Sequence, residues 1–179
     1  MSPSILHPRF TLPASFERLG PLGRVWLSAT DGDPAPLLPD VRASCLTWAS
    51  HGRPVRAAAD VLVGRVLAVA AVISEAEMNG GVSGCGIDAM QHVVETAAAR
   101  HGLGLAPALS VTYRDATGAW QSVPRSAFRA LVARGAAGPE TRVLDLTPAT
   151  LGALAAGVER PAGETWHAAA FRLDASRST

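Results

Sequence analysis

Hydrophobic and polar positions along the chain fall into blocks of two different periods. Arg24–Thr30 (RVWLSAT) reads as a strand closed by the turn-rich run DGDPAP. Leu38, Val41, Cys45 and Trp48 then recur at i, i+3, i+7 and i+10, which predicts one apolar face of a helix. Pro39 suits the first turn of that helix, and His51-Gly52 before Pro54 predicts its end. Val55–Val63 and Val66–Ile73 predict two strands around a tight turn at Gly64-Arg65. The second of these is apolar throughout, as a central strand would be. A glycine-rich loop, Asn79–Gly84, leads into a second helix running to about Arg100. Its apolar stripe is Ile87, Met90, Val94, Ala97 and Ala98, and its stop is His101-Gly102. Ala108–Tyr113 predicts the next strand.

That order, β-α-β-β-α-β, is the split βαβ arrangement, so the predicted fold class is α+β with a ferredoxin-like core over residues 24–115. Residues 1–23 carry Pro3, Pro8, Pro13 and Pro21 with little periodicity and predict a proline-rich tail or strap on the surface. Residues 116–179 predict a small C-terminal extension packed on the core. After a turn at Asp115–Gly118 it comprises a short strand at Trp120–Val123, a helix at Arg125–Arg134 stopped by Gly135, and a strand at Thr141–Leu146. A short helix capped by Thr147-Pro148 and ending at Gly157 follows, and the segment Thr165–Leu173 closes the chain.

Composition narrows the function classes. Of 179 residues 48% are hydrophobic, which supports a packed core rather than disorder. Sixteen basic against 15 acidic residues give a net charge of +1, so charge offers no argument for nucleic acid or an anionic membrane as partner. Every basic residue is Arg. The absence of Lys removes Schiff-base chemistry, and with no GxxxxGK[ST] motif it removes a P-loop nucleotide site. Two cysteines are too few for a disulfide framework and predict reduced thiols in a cytoplasmic protein. No run reaches the ~18 apolar residues of a membrane span, and Met1–Phe10 lacks a signal-peptide pattern. No cofactor and no metal are expected, because the two cysteines are far apart and Cys45 is predicted to be buried.

The concentrated chemistry lies around Cys85. With a helix starting near Ser83, a turn of 100° per residue puts Cys85, Asp88 and His92 within about 60° of one another, opposite the apolar stripe. A cysteine in a first helical turn feels unpaired N–H groups and the positive end of the helix dipole, both of which favour the thiolate. Gly84 and Gly86 would let a ligand approach the backbone closely. In the predicted topology the end of the first helix and the start of the second share one edge of the sheet. That brings His51-Gly52-Arg53 toward Ser83-Gly84-Cys85, and places Arg114 and Asp115 there too. The candidate catalytic set is Cys85 as nucleophile, His51 as base, and Asp88 or His92 as orienting group. The candidate ligand-binding residues are Arg53, Ser83, Gly84, Gly86, Arg114 and His167, the arginines as clamps for a carboxylate or phosphate. Plainer readings stand beside these. Gly-Cys-Gly also serves as a tight turn into a packed helix, and Asp88 with Gln91 fits a capping box that would leave Cys85 in the loop. His92 reads equally as a surface residue, His101 as part of a helix stop, and His167 beside Trp166 as packing.

RVW in the first strand, TWASHGRPVRA, VSGCGID, FRALVARG, TRV and the late TWH resemble a family of short bacterial proteins with an SGCxID motif, whose members often carry the label "ABC transporter ATPase". The resemblance runs from about residue 24 to 172 and puts His51, Cys85, Asp88 and His167 inside family-like motifs. It implies no mechanism. YRDATGAWQSVPRSAFRALVARGAAGPETRVLDL is similar to GYF-type modules, which implies an adaptor that binds peptides or partner domains. Two classes of function stay open. One is a thiol-dependent enzyme for acyl or group transfer, or hydrolysis, using Cys85. The other is a non-catalytic binding or adaptor protein engaging a protein partner or a small anionic ligand. Redox sensing through a single thiol would lack a resolving cysteine, since Cys45 is expected inside.

Overall fold

The computed structural model describes residues 10–50, 52–72 and 84–173. The chain begins with a one-turn helix α1 (Ala14–Glu17), then β1 (Arg24–Ala29) and α2 (Leu38–Thr47). A two-residue ladder of β2 (Ala49–Ser50) and β3 (Arg53–Pro54) follows, then β4 (Arg56–Leu62), β5 (Val66–Val72) and the long helix α3 (Gly84–Arg100). The fold class is α+β: helices with antiparallel sheets.

The first sheet has the order β1-β5-β4, antiparallel throughout. β5 lies in the middle and is covered on both faces, so it needs no polar side and shows no alternation. Leu67, Val69 and Ala71 face a core built with Val41 and Cys45 of α2 and Met90, Val94 and Ala97 of α3. Val66, Ala68 and Ala70 face a second core built with Phe16, Leu19, Leu144, Leu151, Leu154 and Val158. The β4–β5 loop is tight: Val63 and Gly64 have φ of 48° and 62°, and the Arg65 N–H donates to the Leu62 carbonyl at 3.1 Å. α2 and α3 run antiparallel, with Arg100 paired to Asp40 at 3.1 Å at one end and Trp48 beside Ile87 and Met90 at the other.

The fourth strand departs from expectation. β6 (Ser110–Arg114) does not lie beside β1; it sits in a second sheet with β7 (Trp120–Pro124), β8 (Arg142–Leu144) and β9 (Glu159–Pro161), in the order β7-β6-β8-β9. The chain does reach the edge of β1, but only through one bridge, Thr30 to Leu105, with the Ala106 N–H donating to the Ala29 carbonyl at 2.8 Å. Pro107 then removes a donor, and a turn closed by Ser110 on the Pro107 carbonyl leads the chain away. From there β6 pairs with its hairpin partner β7. Helices α4 (Arg125–Ala133) and α6 (Trp166–Phe171) complete this half around Val111, Phe128, Val143, Ala162 and Phe171, while α5 (Leu151–Leu154) packs into the second core against the first sheet.

Three further expectations shift. The boundary expected at residue 115 falls inside the β6–β7 hairpin, so the second half begins with β6. Phe16 and Leu19 of the proline-rich stretch are buried core residues rather than parts of a surface strap. The short helix α5 is capped by Thr150, whose Oγ1 accepts from the Ala153 N–H at 3.2 Å, while Thr147 turns back onto Asp145.

Candidate functional site

α3 begins at Gly84, which puts position 85 in its first turn. Asp88 and His92, three and seven residues on, are exposed, while Met90, Val94, Ala97 and Ala98 are buried. The antiparallel pairing of α2 and α3 sets the C-terminal end of α2 beside the N-terminal end of α3. Gly84 is exposed and Gly86 buried; Arg53, in β3, is exposed. His51 and Ser83 lie outside the described residues, as does the side chain of Cys85.

The other predicted residues lie elsewhere. Arg114 donates from Nε and Nη2 to the two carboxylate oxygens of Glu159 at 2.7 and 3.1 Å, and its guanidinium sits 4.2 Å from the centre of the Trp120 ring. The hydrogen bond to Glu159 raises its pKa. Asp115 accepts from the Thr117 hydroxyl and backbone, from the Ala119 N–H and from the Gln121 amide, and so builds the β6–β7 turn. Those bonds, the Thr117 hydroxyl first, lower its carboxyl pKa to about 2. His167 is 1% exposed and stacks on Trp166 at 3.9 Å. Its Nδ1 lies 2.7 Å from Thr165 Oγ1, which donates its own proton to the Ala162 carbonyl at 3.0 Å, so Nδ1–H is the donor and the neutral ring takes that tautomer. Burial pushes its pKa down to about 4, against the pull of nearby Asp145 and with the push of Arg125. Burial likewise pushes the Cys45 thiol up to about 11, leaving it inert packing.

The described residues converge on a different place. A crevice of about 550 Å³ runs along the outer edge of β1, between the two sheets and under α3. Leu27, Ser28, Gln91, Glu95, Thr112 and Leu144 are among its walls. Gln91 donates to Glu95 at 3.0 Å across one turn of α3. A second cavity of about 350 Å³ shares the Leu105–Pro107 wall with it and is lined further by Asp31, Leu109 and Val123. The second cavity is mainly apolar and the first is lined about equally by polar and apolar groups, so apolar walls stand beside convergent polar groups, as in a ligand site. On its inner side the crevice adjoins a small cavity through Ser28 and Gln91. Trp48 lines that cavity, and its buried Nε1 has no hydrogen-bond partner among the described residues.

No protein-family model, curated protein or solved structure matches the chain. Among the described residues, no group of three or more His, Cys, Asp or Glu could hold a metal ion, and no helix is long and apolar enough to cross a membrane. Sequence reasoning missed the crevice. Gln91 and Glu95 carried its one local signal, an i,i+4 polar pair on α3, but exposed helices commonly show such pairs.

Proposed function

We propose that this chain is a cytoplasmic binding protein whose ligand, a small molecule or a segment of a protein partner, occupies the crevice between its two sheets. The observation that carries the reading is the crevice itself, about 550 Å³, whose walls set polar groups from β1, α3 and β6 beside apolar side chains in about equal measure. The reading keeps the residues around β1, α2, β4, β5 and α3 as a ferredoxin-like unit whose fourth strand has left for the second half. It keeps β7–α4–β8 as a GYF-like element, and the whole as a relative of the SGCxID family without P-loop chemistry. A fragment screen read by amide chemical shifts tests it. Hits should shift the amides of Leu27, Gln91 and Thr112, and lose affinity in Gln91→Ala with Glu95→Ala. A screen whose hits all map elsewhere refutes it.

A second reading, a thiol-dependent enzyme using Cys85 with His51, is favoured by a separate observation: α3 starts at Gly84, so position 85 lies in its first turn, at the positive end of the helix dipole. In that case iodoacetamide alkylation of Cys85 in Cys45→Ala has a midpoint well below the ~8.5 of a free thiol, and His51→Ala raises it. An ordinary midpoint, unaffected by His51→Ala, removes this reading.

A further inference from the structure

We infer that the crevice takes a short extended peptide, which pairs with Leu27 as an added antiparallel strand residue and directs basic side chains toward Glu95. The inference rests on the binding reading above and names its ligand class.

Strand alternation supplies the first step. Trp26 and Ser28 belong to the hydrogen-bonded side of the β1–β5 ladder, so the N–H and C=O groups of Val25, Leu27 and Ala29 point to the outer edge. Two of these three residues are engaged, each through one group. The Val25 N–H donates to the Ala149 carbonyl at 3.1 Å, and the Ala29 carbonyl accepts from the Ala106 N–H at 2.8 Å. Leu27 lies between them, and among the described residues its backbone N–H and C=O take no partner on this side. An open edge is a template for another strand. Here both ends are blocked, over four residue steps or roughly 13 Å, so a whole sheet edge from a second copy cannot dock. A segment of about three residues fits, and one residue opposite Leu27 would exchange both bonds with it.

Pairing geometry then fixes the side chains. The ligand residue opposite Leu27 projects to the same face as Leu27, where Leu144 and Leu146 line the crevice, so it should be apolar. Its two neighbours project to the face of Ser28, the side on which Gln91 and Glu95 of α3 stand. Glu95 is the charged residue lining the crevice and Asp31 the one lining its neighbour, and both are acidic, in a chain with 16 arginines and a net charge of +1. The chemistry that matches is basic–apolar–basic.

The test titrates the full-length 15N-labelled chain with acetyl-Arg-Leu-Arg-amide, the same peptide N-methylated at its leucine, acetyl-Ala-Leu-Ala-amide and acetyl-Glu-Leu-Glu-amide. The first should shift the Leu27 amide and bind at least about tenfold more tightly than the N-methylated peptide, which lacks the donor for the Leu27 carbonyl. Glu95→Gln should weaken the arginine peptide about fivefold and leave the alanine peptide unchanged. Leu27→Pro, which removes an N–H the ladder does not use, should abolish the shifts; the N-methylated peptide gives the same information without altering the protein. Equal binding of methylated and unmethylated peptides, shifts away from β1, or acidic flanks binding as well as basic ones would each overturn the inference. If the tripeptides fail while fragments still shift the crevice amides, the ligand class is wrong and the binding reading stands. If both fail, the binding reading falls as well.

Discussion

His167 provides a quantitative check on how the second half is packed. The ring is 1% exposed, stacked on Trp166 and in contact range of Phe128 and Phe171, and burial lowers its pKa from 6.5 to about 4. The unfolded chain therefore takes up this proton near pH 6.5, while the folded chain resists it until about pH 4. The contribution is complete above the unfolded value, declines as the pH falls from 6.5, and levels off below about 4. A shift of this size corresponds to about 3 kcal/mol over the whole window, of which about 2 kcal/mol is lost between about pH 7.5 and pH 5. Urea unfolding followed by far-ultraviolet circular dichroism across that range measures it. In His167→Asn, whose amide nitrogen takes the place of Nδ1 and can still donate to Thr165 Oγ1 but does not titrate, the decline should shrink by about 2 kcal/mol. The remaining histidines are common to both proteins and cancel in the comparison. Equal declines would mean that the ring is protonated, or reached by water, in the folded state.

Four other outcomes can be checked alongside it. Glu159→Gln removes the two-oxygen partner of Arg114 and should lower unfolding free energy by about 2 kcal/mol in urea titrations, leaving a half-buried guanidinium short of its charge. Gly64→Ala, at φ +62° with open space around it, should cost about 1 kcal/mol through backbone strain alone, read as a lower Tm with no change in cooperativity. Phe16→Ala should cost about 3–5 kcal/mol if the proline-rich stretch is core, and less than 1 kcal/mol if it is a strap, by the same titrations. In Cys85→Ala the remaining thiol, Cys45, should resist iodoacetamide under native conditions at pH 8 and label rapidly in urea, as mass spectrometry would show.

The elements that the sequence revealed were those whose signal is local. The stripe Met90, Val94, Ala97 on α3 and the unbroken apolar run of β5 each follow from which faces are buried, and both are readable without knowing what buries them. Phe16 and Leu19 escaped because two buried residues among prolines make no period, and β9 escaped because three residues are too few for alternation to show. Thr147 and Thr150 both satisfy the residue preference of a helix cap; only the backbone decides that Thr150 is the one whose oxygen meets an N–H. The start of α3 at Gly84 lies one residue from the expected place, so the first-turn position of Cys85 was legible, and the side-chain geometry that would make it chemistry was not a matter of spacing.

The largest departure and the candidate site have one cause. The order β-α-β-β-α-β predicted a fourth strand along β1, and a strand there would have used the Leu27 N–H and C=O and filled the space beneath α3. Instead the chain touches β1 at Thr30, is turned away after Pro107, and spends the strand on β7 and β8. Ala149 closes the other end of the edge. What is left, among the described residues, is a backbone donor and acceptor at Leu27, with Glu95 and Gln91 above and Leu144 and Leu146 beside it. Folded proteins ordinarily cover an edge of this kind with a strand, a charge or a proline. Covering it at both ends and leaving the middle open excludes aggregation partners that need a long edge and admits a segment of about three residues. Filling the gap from within should therefore compete with the ligand. Residues that lengthen the Leu105–Ala106 bridge by one pair would be expected to stabilise the fold and to abolish peptide binding together, whereas stabilisation with binding intact would place the ligand somewhere other than the edge of β1.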